Sequence, residues 1–140
     1  MLGRKVSLKS PVERAIILQS YWAEVAYVLG AEGEIVGISK GVSQSTYLPD
    51  RIRNKTIVGD IYTGINIEAV ISLNPDVVIT DTGHGKAEEI IKNLENYGIP
   101  VVLMFPTTAE DQLKAIEIIG TIFGKVERAN ELISFLEEKM

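Results

Sequence analysis

Two short segments of the sequence are apolar and β-branched without alternation, and they constrain the fold more than any other feature. Residues 76–80 are Asp-Val-Val-Ile-Thr, and residues 100–104 are Pro-Val-Val-Leu-Met. Strands that are apolar on both faces are typical of a parallel sheet covered by helices on both sides. Between the two segments, apolar residues recur at helical spacing, namely Ala87, Ile90, Ile91 and Leu94. The pattern predicts a buried strand, a covering helix and a second buried strand.

The same alternation of strands and helices extends over most of the chain. Apolar runs at residues 14–18, 34–38 and 56–58 predict three more strands, and residues 22–29 between the first two have helical character. Strands and helices that alternate at this spacing form βαβ units with right-handed crossovers. We therefore predict an α/β fold, in which an open parallel sheet is flanked by helices as in a Rossmann-like lobe.

The composition limits the partners and the chemistry. A chain of 140 residues is suited to one domain of ordinary size. Acidic side chains outnumber basic ones by 19 to 14, and the net charge of −5 argues against a nucleic-acid partner. The sequence contains one His and no Cys, so neither a His cluster nor a thiolate set is present to hold a metal ion. No apolar run approaches the roughly 20 residues that cross a bilayer.

One carboxylate at the end of a predicted strand matches two enzyme-like patterns. Asp81-Thr82-Gly83 has the triplet of aspartic proteases, but that chemistry belongs to an all-β fold. Asp81 also ends a strand as the phosphoacceptor of a receiver domain does. Such a domain needs carboxylates after its first strand, where this chain has Gln19 and Ser20. Both interpretations are therefore disfavoured.

The aromatic residues are concentrated at one edge of the predicted sheet. Ligands of open parallel sheets bind beyond the carboxyl ends of the strands. In or beside the loops at that edge lie the candidate ligand contacts, Tyr21, Trp22, Tyr47, Tyr62 and Phe105. Several aromatic rings at one edge suggest a platform for a large, flat or partly apolar ligand. No general base, nucleophile or metal-ligand set accompanies them, which favours binding over catalysis.

Several segments taken together resemble a known family. The most specific one is residues 66–79, NIEAVISLNPDVVI, and it is accompanied by GRKVSL at residues 3–8 and GIPVV at residues 98–102. In this order they resemble the class III substrate-binding proteins of ABC importers for cobalamin, haem and ferric siderophores, whose two lobes are joined by one long helix. The resemblance covers the N-terminal lobe nearly end to end. The family's first-loop pattern S-P-x-x-T-E appears here at residues 20–24 without its Pro and Thr.

The resemblance implies a domain organisation. Residues 1–124 correspond to the N-terminal ligand-binding lobe and residues 125–140 to the start of the connecting helix, with the second lobe absent from this chain. The final helix carries an apolar stripe of Val126, Ala129, Ile133, Leu136 and Met140. We expect this stripe to face a partner outside the lobe, and a homodimer of the lobe is one such arrangement.

The resemblance also implies a function. It indicates the substrate-binding component of an ABC importer, which captures an iron complex (ferric siderophore or haem) or cobalamin and delivers it to the permease, with no enzymatic activity and no cofactor. Such a protein acts outside the cytoplasm, in the periplasm or at the cell surface, and its signal segment is not in this chain. The alternative is a metal chelatase-like enzyme on a similar fold that acts on tetrapyrroles. That enzyme would need His and carboxylate side chains in the cleft.

Two roles are transferred from the family residue by residue. Tyr62 lies four residues before Asn66, at a position where cobalamin-binding relatives have an aromatic ligand contact. Its ring could stack on a macrocycle, or its phenolate could ligate ferric iron. Glu68 matches the glutamate by which this lobe docks on arginines of the permease. A carboxylate in a first helical turn is also favoured by the helix dipole alone.

Overall fold

The computed structural model describes residues 11–81, 87–104 and 106–139. The strands are β1 (Ala15–Ile17), β2 (Ile35–Ile38), β3 (Thr56–Ile57), β4 (Gly59–Asp60), β5 (Gly64–Ile65), β6 (Val77–Thr80) and β7 (Val101–Leu103). Five of them form one parallel sheet in the order β3-β2-β1-β6-β7, whereas β4 and β5 form a separate antiparallel pair. The predicted α/β fold with a parallel sheet is confirmed.

The helices connect the strands and cover both faces of the sheet. They are α1 (Ser20–Val28), α2 (Lys40–Ser43), α3 (Asp50–Arg53), α4 (Ile67–Ser72), α5 (Ala87–Asn96), α6 (Ala109–Ile122) and α7 (Val126–Glu138). None of the helices in the described ranges has the length and apolar character needed to cross a membrane.

Alternate residues of the central strands enter two different hydrophobic clusters. Ala15 and Ile17 of β1 lie in the cluster that contains α1 and α6, whereas Ile16 belongs to the cluster formed with α4 and α5. Val77 and Val78 of β6 divide between the two clusters in the same way. Successive side chains of a strand point to opposite faces, so helices on both sides bury every residue of these strands. This burial on both faces explains why the sequence of these strands is apolar without alternation.

One helix start differs from its prediction by a residue. The sequence places Thr107 and Glu110 at capping-box spacing, but the N-cap of α6 is Thr108, whose Oγ1 accepts from the Asp111 amide at 3.0 Å. The Asp111 carboxylate in turn accepts from the amide and the hydroxyl of Thr107 at 3.3 and 3.1 Å. These hydrogen bonds lower the pKa of Asp111 below its usual value. The reciprocal carboxylate is therefore Asp111 instead of Glu110.

The apolar stripe of α7 packs on the lobe itself. Ala129 is fully buried, and the partly buried Ile133 and Leu136 contact the cluster that contains α1 and α6. Val126, by contrast, is exposed. The prediction that the stripe faces a partner outside the lobe is therefore wrong for these three residues, because α6 provides the surface that they need. The assignment of residues 125–140 to a connecting helix stays a prediction, and Met140 lies outside the described residues.

Candidate functional site

The strand order reverses between β1 and β6, and this defines where a ligand can bind. The chain leaves β1 toward β2 on one side, and β6 continues toward β7 on the other. A crevice forms at such a switch point, beyond the carboxyl ends of the strands. Leu18 ties the edge together, because its amide donates to the Ile79 carbonyl at 2.9 Å and its own carbonyl accepts from the buried Ser39 hydroxyl at 2.8 Å. The ends of β1, β2 and β6 are thus held in one frame.

The first candidate ligand contact, Tyr21, lies in the opening turn of α1. The helix begins at Ser20 because the Gln19 side chain caps it by accepting from the Tyr21 amide. The Tyr21 side chain is 37% exposed. Burial, with a smaller contribution from the Glu24 carboxylate, raises the pKa of Tyr21 above its usual value. Tyr21 therefore presents a neutral phenol at the carboxyl edge of the sheet.

The neighbouring Trp22 is placed differently. Its side chain is only 2% exposed and lies in the core with Val25, Ala26 and Leu29, which share its face of α1. Its ring meets the Tyr21 ring edge to face, with centroids 4.8 Å apart and planes at 74°. The indole Nε1 has no hydrogen-bond partner in the described part of the chain. The buried Trp22 ring thus packs against the Tyr21 ring. A direct contact between Trp22 and a ligand stays a prediction.

Tyr47 lies on the segment between α2 and α3. The sequence predicts a polar loop over residues 41–47, but its first part is helical, because the Ser39 hydroxyl caps α2 by accepting from the Val42 amide at 3.2 Å. The rest is a turn in which Leu48 is buried, whereas the Tyr47 side chain is 81% exposed. Ser45 donates from its hydroxyl to Glu24 Oε2 of α1 at 2.9 Å.

Tyr62 is presented by the small β4–β5 hairpin. The first residue of each hairpin strand is a glycine with positive φ, +132° at Gly59 and +120° at Gly64, which other residues rarely adopt. The Asp60 carboxylate accepts from the Tyr62 amide at 3.3 Å and so shapes the turn. The Tyr62 side chain is 60% exposed, whereas Ile61 beside it is buried. Residues of α2 contact both α1 and β4, so the segments that carry Tyr21, Tyr47 and Tyr62 are neighbours.

The remaining candidates lie beyond β6 and β7. Asp81 directly follows β6 and is buried, at the carboxyl end of a parallel strand. This setting differs from the all-β context of an aspartic protease. Phe105, and residues 82–86 with the single His, lie outside the described residues. Within the described part of the chain, no group of three or more His, Asp or Glu side chains is arranged to hold a metal ion.

Glu68 lies in the first turn of α4, directly after the β4–β5 hairpin. The helix is capped by Asn66, whose Oδ1 accepts from the Ala69 amide at 3.1 Å. The Glu68 side chain is exposed and forms no hydrogen bond or ion pair with the described residues. It is therefore accessible to a partner, and its role in permease docking stays a prediction.

Two polar groups that hold this edge together were not among the predicted site residues. The sequence predicts only loop structure for Ser39 and Ser45, yet Ser39 ties β2 to β1 and Ser45 ties the Tyr47 segment to α1. The first has a signal in the sequence, since a serine at the end of a strand and before a short helix is a frequent N-cap. The second joins residues 21 positions apart and has no local signal.

Comparison with protein families gives a match over most of the chain. Residues 16–140 match the model of the family described as periplasmic binding protein. The vitamin B12-binding protein of Vibrio parahaemolyticus is 34% identical over 107 residues, which are 76% of this chain and 37% of that protein. The uncharacterised ABC transporter substrate-binding lipoprotein YvrC of Bacillus subtilis is 28% identical over 140 residues, covering 99% of this chain and 43% of the relative.

A solved structure agrees with this assignment. The molybdate-bound periplasmic binding protein MolA of Haemophilus influenzae superposes with a TM-score of 0.80 at 27% sequence identity, over 93% of this chain and 47% of MolA. This chain thus spans less than half the length of each of these relatives. The chain belongs to the periplasmic binding protein family, in which it corresponds to the N-terminal lobe of a class III substrate-binding protein of ABC importers.

Proposed function

We propose that this lobe belongs to the substrate-binding component of an ABC importer that captures cobalamin or an iron complex, either haem or a ferric siderophore, outside the cytoplasm. The observation that carries the proposal is the set of exposed tyrosines at the carboxyl edge of the sheet, Tyr21, Tyr47 and Tyr62. Aromatic rings in this position suit the flat, partly apolar surface of a macrocycle or chelate.

The charge at this edge supports a large ligand over a small oxyanion. Among the described residues that follow the strands at this edge, in segments 19–22, 39–48 and 59–65 and at position 81, Lys40 is the only basic one, and it is exposed. His84 and Lys86 lie outside the described residues. The same loops contain the carboxylates of Asp60 and Asp81. A small tetrahedral oxyanion such as the molybdate of MolA is held by hydrogen-bond donors directed at its oxygens, and positive charge strengthens those bonds. A corrinoid or a chelate can instead bind largely through apolar contact.

The proposal includes delivery to a permease. The relatives are periplasmic or lipoprotein binding proteins of ABC transporters. Glu68 supports a docking role here, because it is exposed, negatively charged and free of partners in the described part of the chain. A permease arginine would supply the complementary charge.

The direct test is titration of the 140-residue chain with cyanocobalamin, haemin, a ferric siderophore and molybdate, monitored by calorimetry. We expect weak binding of one of the first three, because a single lobe covers only one side of the ligand. Tyr62→Ala should weaken that binding further. Tyr97→Ala is the matched control, since Tyr97 is 62% exposed, much like Tyr62 at 60%, but follows α5 at the opposite edge of the sheet. Tight binding of molybdate, or equal effects of both substitutions, would contradict the proposal.

A further inference from the structure

We propose that Glu24 is a positioning residue of the ligand edge, because its carboxylate holds the segment that carries Tyr47 against α1 through the Ser45 hydroxyl. This inference rests on the proposed function, since it assigns a role within the same site. Glu24 lies one turn into α1, behind Tyr21, and is partly buried. Glu24 thus interacts both with Tyr21 and with the segment that carries Tyr47.

The contact spans two elements. Ser45 Oγ donates to Glu24 Oε2 at 2.9 Å, and the two residues are 21 positions apart in the sequence. A hydrogen bond to a charged acceptor is stronger than one between neutral groups. On the other side of Tyr47, the buried Leu48 donates from its amide to the Ser45 carbonyl at 3.4 Å. Tyr47 is therefore flanked by two anchored residues.

Tyr47 depends on these neighbours for its position. Its own side chain makes no hydrogen bond to the described residues, and it is 81% exposed. An exposed ring on an unanchored turn would lose conformational entropy when a ligand bound it. The Glu24–Ser45 hydrogen bond removes part of that cost in advance, because it restricts the turn before the ligand arrives.

Glu24 has a second effect on the same edge. Burial raises the pKa of Tyr21, and the negative charge of Glu24 adds a smaller contribution in the same direction. Tyr21 therefore offers a neutral hydroxyl that can donate a hydrogen bond to a ligand. One carboxylate thus shapes both the Tyr47 segment and the chemical state of Tyr21.

The first test needs no ligand. Hydrogen–deuterium exchange of the amides of residues 44–48 should accelerate about tenfold in Ser45→Ala and in Glu24→Ala, as expected from the loss of a hydrogen bond to a charged group. Glu24→Gln keeps an oxygen acceptor for Ser45 and should restore slow exchange. Ser43→Ala is the matched control, because the Ser43 hydroxyl bonds only the Lys40 carbonyl at 2.6 Å within α2. Unchanged exchange in Ser45→Ala and Glu24→Ala would overturn the proposal.

The second test uses cyanocobalamin and haemin as probes. Ser45→Ala should weaken the binding of the bound probe about threefold to tenfold when Tyr47 is present, and should have no effect in a Tyr47→Ala background. An equal loss in both backgrounds would overturn the proposal, since Ser45 would then act independently of Tyr47. If neither probe binds to any variant, the proposed function fails for these two ligands. The exchange rates would still decide the role of Glu24, so the two failures are distinguishable.

Discussion

Gly120 of α6 and Ala129 of α7 are packed so closely that no side chain fits between them. A Cβ built on Gly120 would overlap the Cβ of Ala129 and would come within 3.2 Å of the Lys125 carbonyl oxygen. The Ala129 amide donates to that same carbonyl at 2.9 Å. The absence of a side chain at position 120 therefore lets α7 turn back onto α6 and bury Ala129.

Gly120→Ala should destabilise the lobe by about 1–2 kcal/mol. Overpacking costs about 1–3 kcal/mol, and the better helix propensity of Ala offsets up to about 1 kcal/mol of it. Gly33→Ala is the control, because no atom lies within 4 Å of a Cβ built there. Urea unfolding monitored by circular dichroism measures both variants. Equal midpoints for Gly120→Ala and the parent chain would contradict the observed contact.

Thr108→Ala should destabilise the lobe by about 1 kcal/mol, because it removes the N-cap of α6. Thr121→Ala in the same helix is the matched control. The Thr121 hydroxyl is exposed and bonds only the Glu117 carbonyl at 3.0 Å, so its loss should leave stability nearly unchanged. Thermal unfolding of both variants checks the prediction. A loss in Thr121→Ala as large as that in Thr108→Ala would argue against the cap.

The two hairpin glycines should respond differently to alanine. Both have positive φ. A Cβ built on Gly59 would also overlap the Gly64 carbonyl oxygen, whereas no atom lies within 4 Å of a Cβ built on Gly64. Each substitution should cost about 1–3 kcal/mol in backbone strain, and Gly59→Ala should be the more damaging of the two. Urea unfolding measures the stability, and exchange of the residue 60–65 amides reports on the hairpin that presents Tyr62. A larger loss in Gly64→Ala would contradict the described geometry.

Tyr21 should ionise only above the usual tyrosine pKa near 10. The pKa of Tyr21 is higher in the folded state than in the unfolded state. The contribution of Tyr21 to stability is therefore complete below its unfolded-state pKa, and it is lost as the pH rises through its folded-state pKa. Glu24→Gln should lower the pKa of Tyr21, although burial will keep it above the usual value. Absorbance titration of tyrosinate, taken as the difference from Tyr21→Phe, measures it. A rise of the pKa in Glu24→Gln would exclude the charge effect.

Glu68→Gln should leave the melting temperature and ligand affinity nearly unchanged, because an exposed carboxylate at a helix start contributes only about 0.3–1 kcal/mol. In the complete transport system, it should impair uptake or complex formation with the permease, since a permease arginine would lose its partner. Glu88→Gln is the control, as Glu88 is also exposed in the first turn of a helix, α5. Unchanged uptake, or equal impairment by both substitutions, would reject the docking role.

Local patterns were sufficient for much of the fold. Residues 76–80 and 100–104 are apolar on both faces, and both contain strands of the parallel sheet. The cap at Asn66 and the end of α4 before Asn74 also follow from adjacent residues, because capping depends on side chains within a few positions. Adjacent residues did not decide the N-cap of α6, which is Thr108 instead of the predicted Thr107, since two adjacent threonines offer alternative caps.

For the candidate site, the sequence predicted only the edge of the sheet at which it lies. Tyr21, Tyr47 and Tyr62 lie exposed on segments beyond the ends of strands, in agreement with the sequence pattern. Trp22 was grouped with them because it follows the first strand. In the structure it lies on the inward face of α1 with Val25 and Ala26, because residues at i, i+3 and i+4 share one face of a helix.

The sequence by itself determined the α/β class, the two-sided burial of the central strands and the loops from which the tyrosines project, because each depends on the period and the capping of a short segment. Only the tertiary structure decided the strand order, the packing of α7 on α6 and the link from Glu24 to Ser45. These features join residues that are distant in the sequence, or depend on the space left by a missing side chain. They form when the helices dock on the sheet, so no local pattern records them.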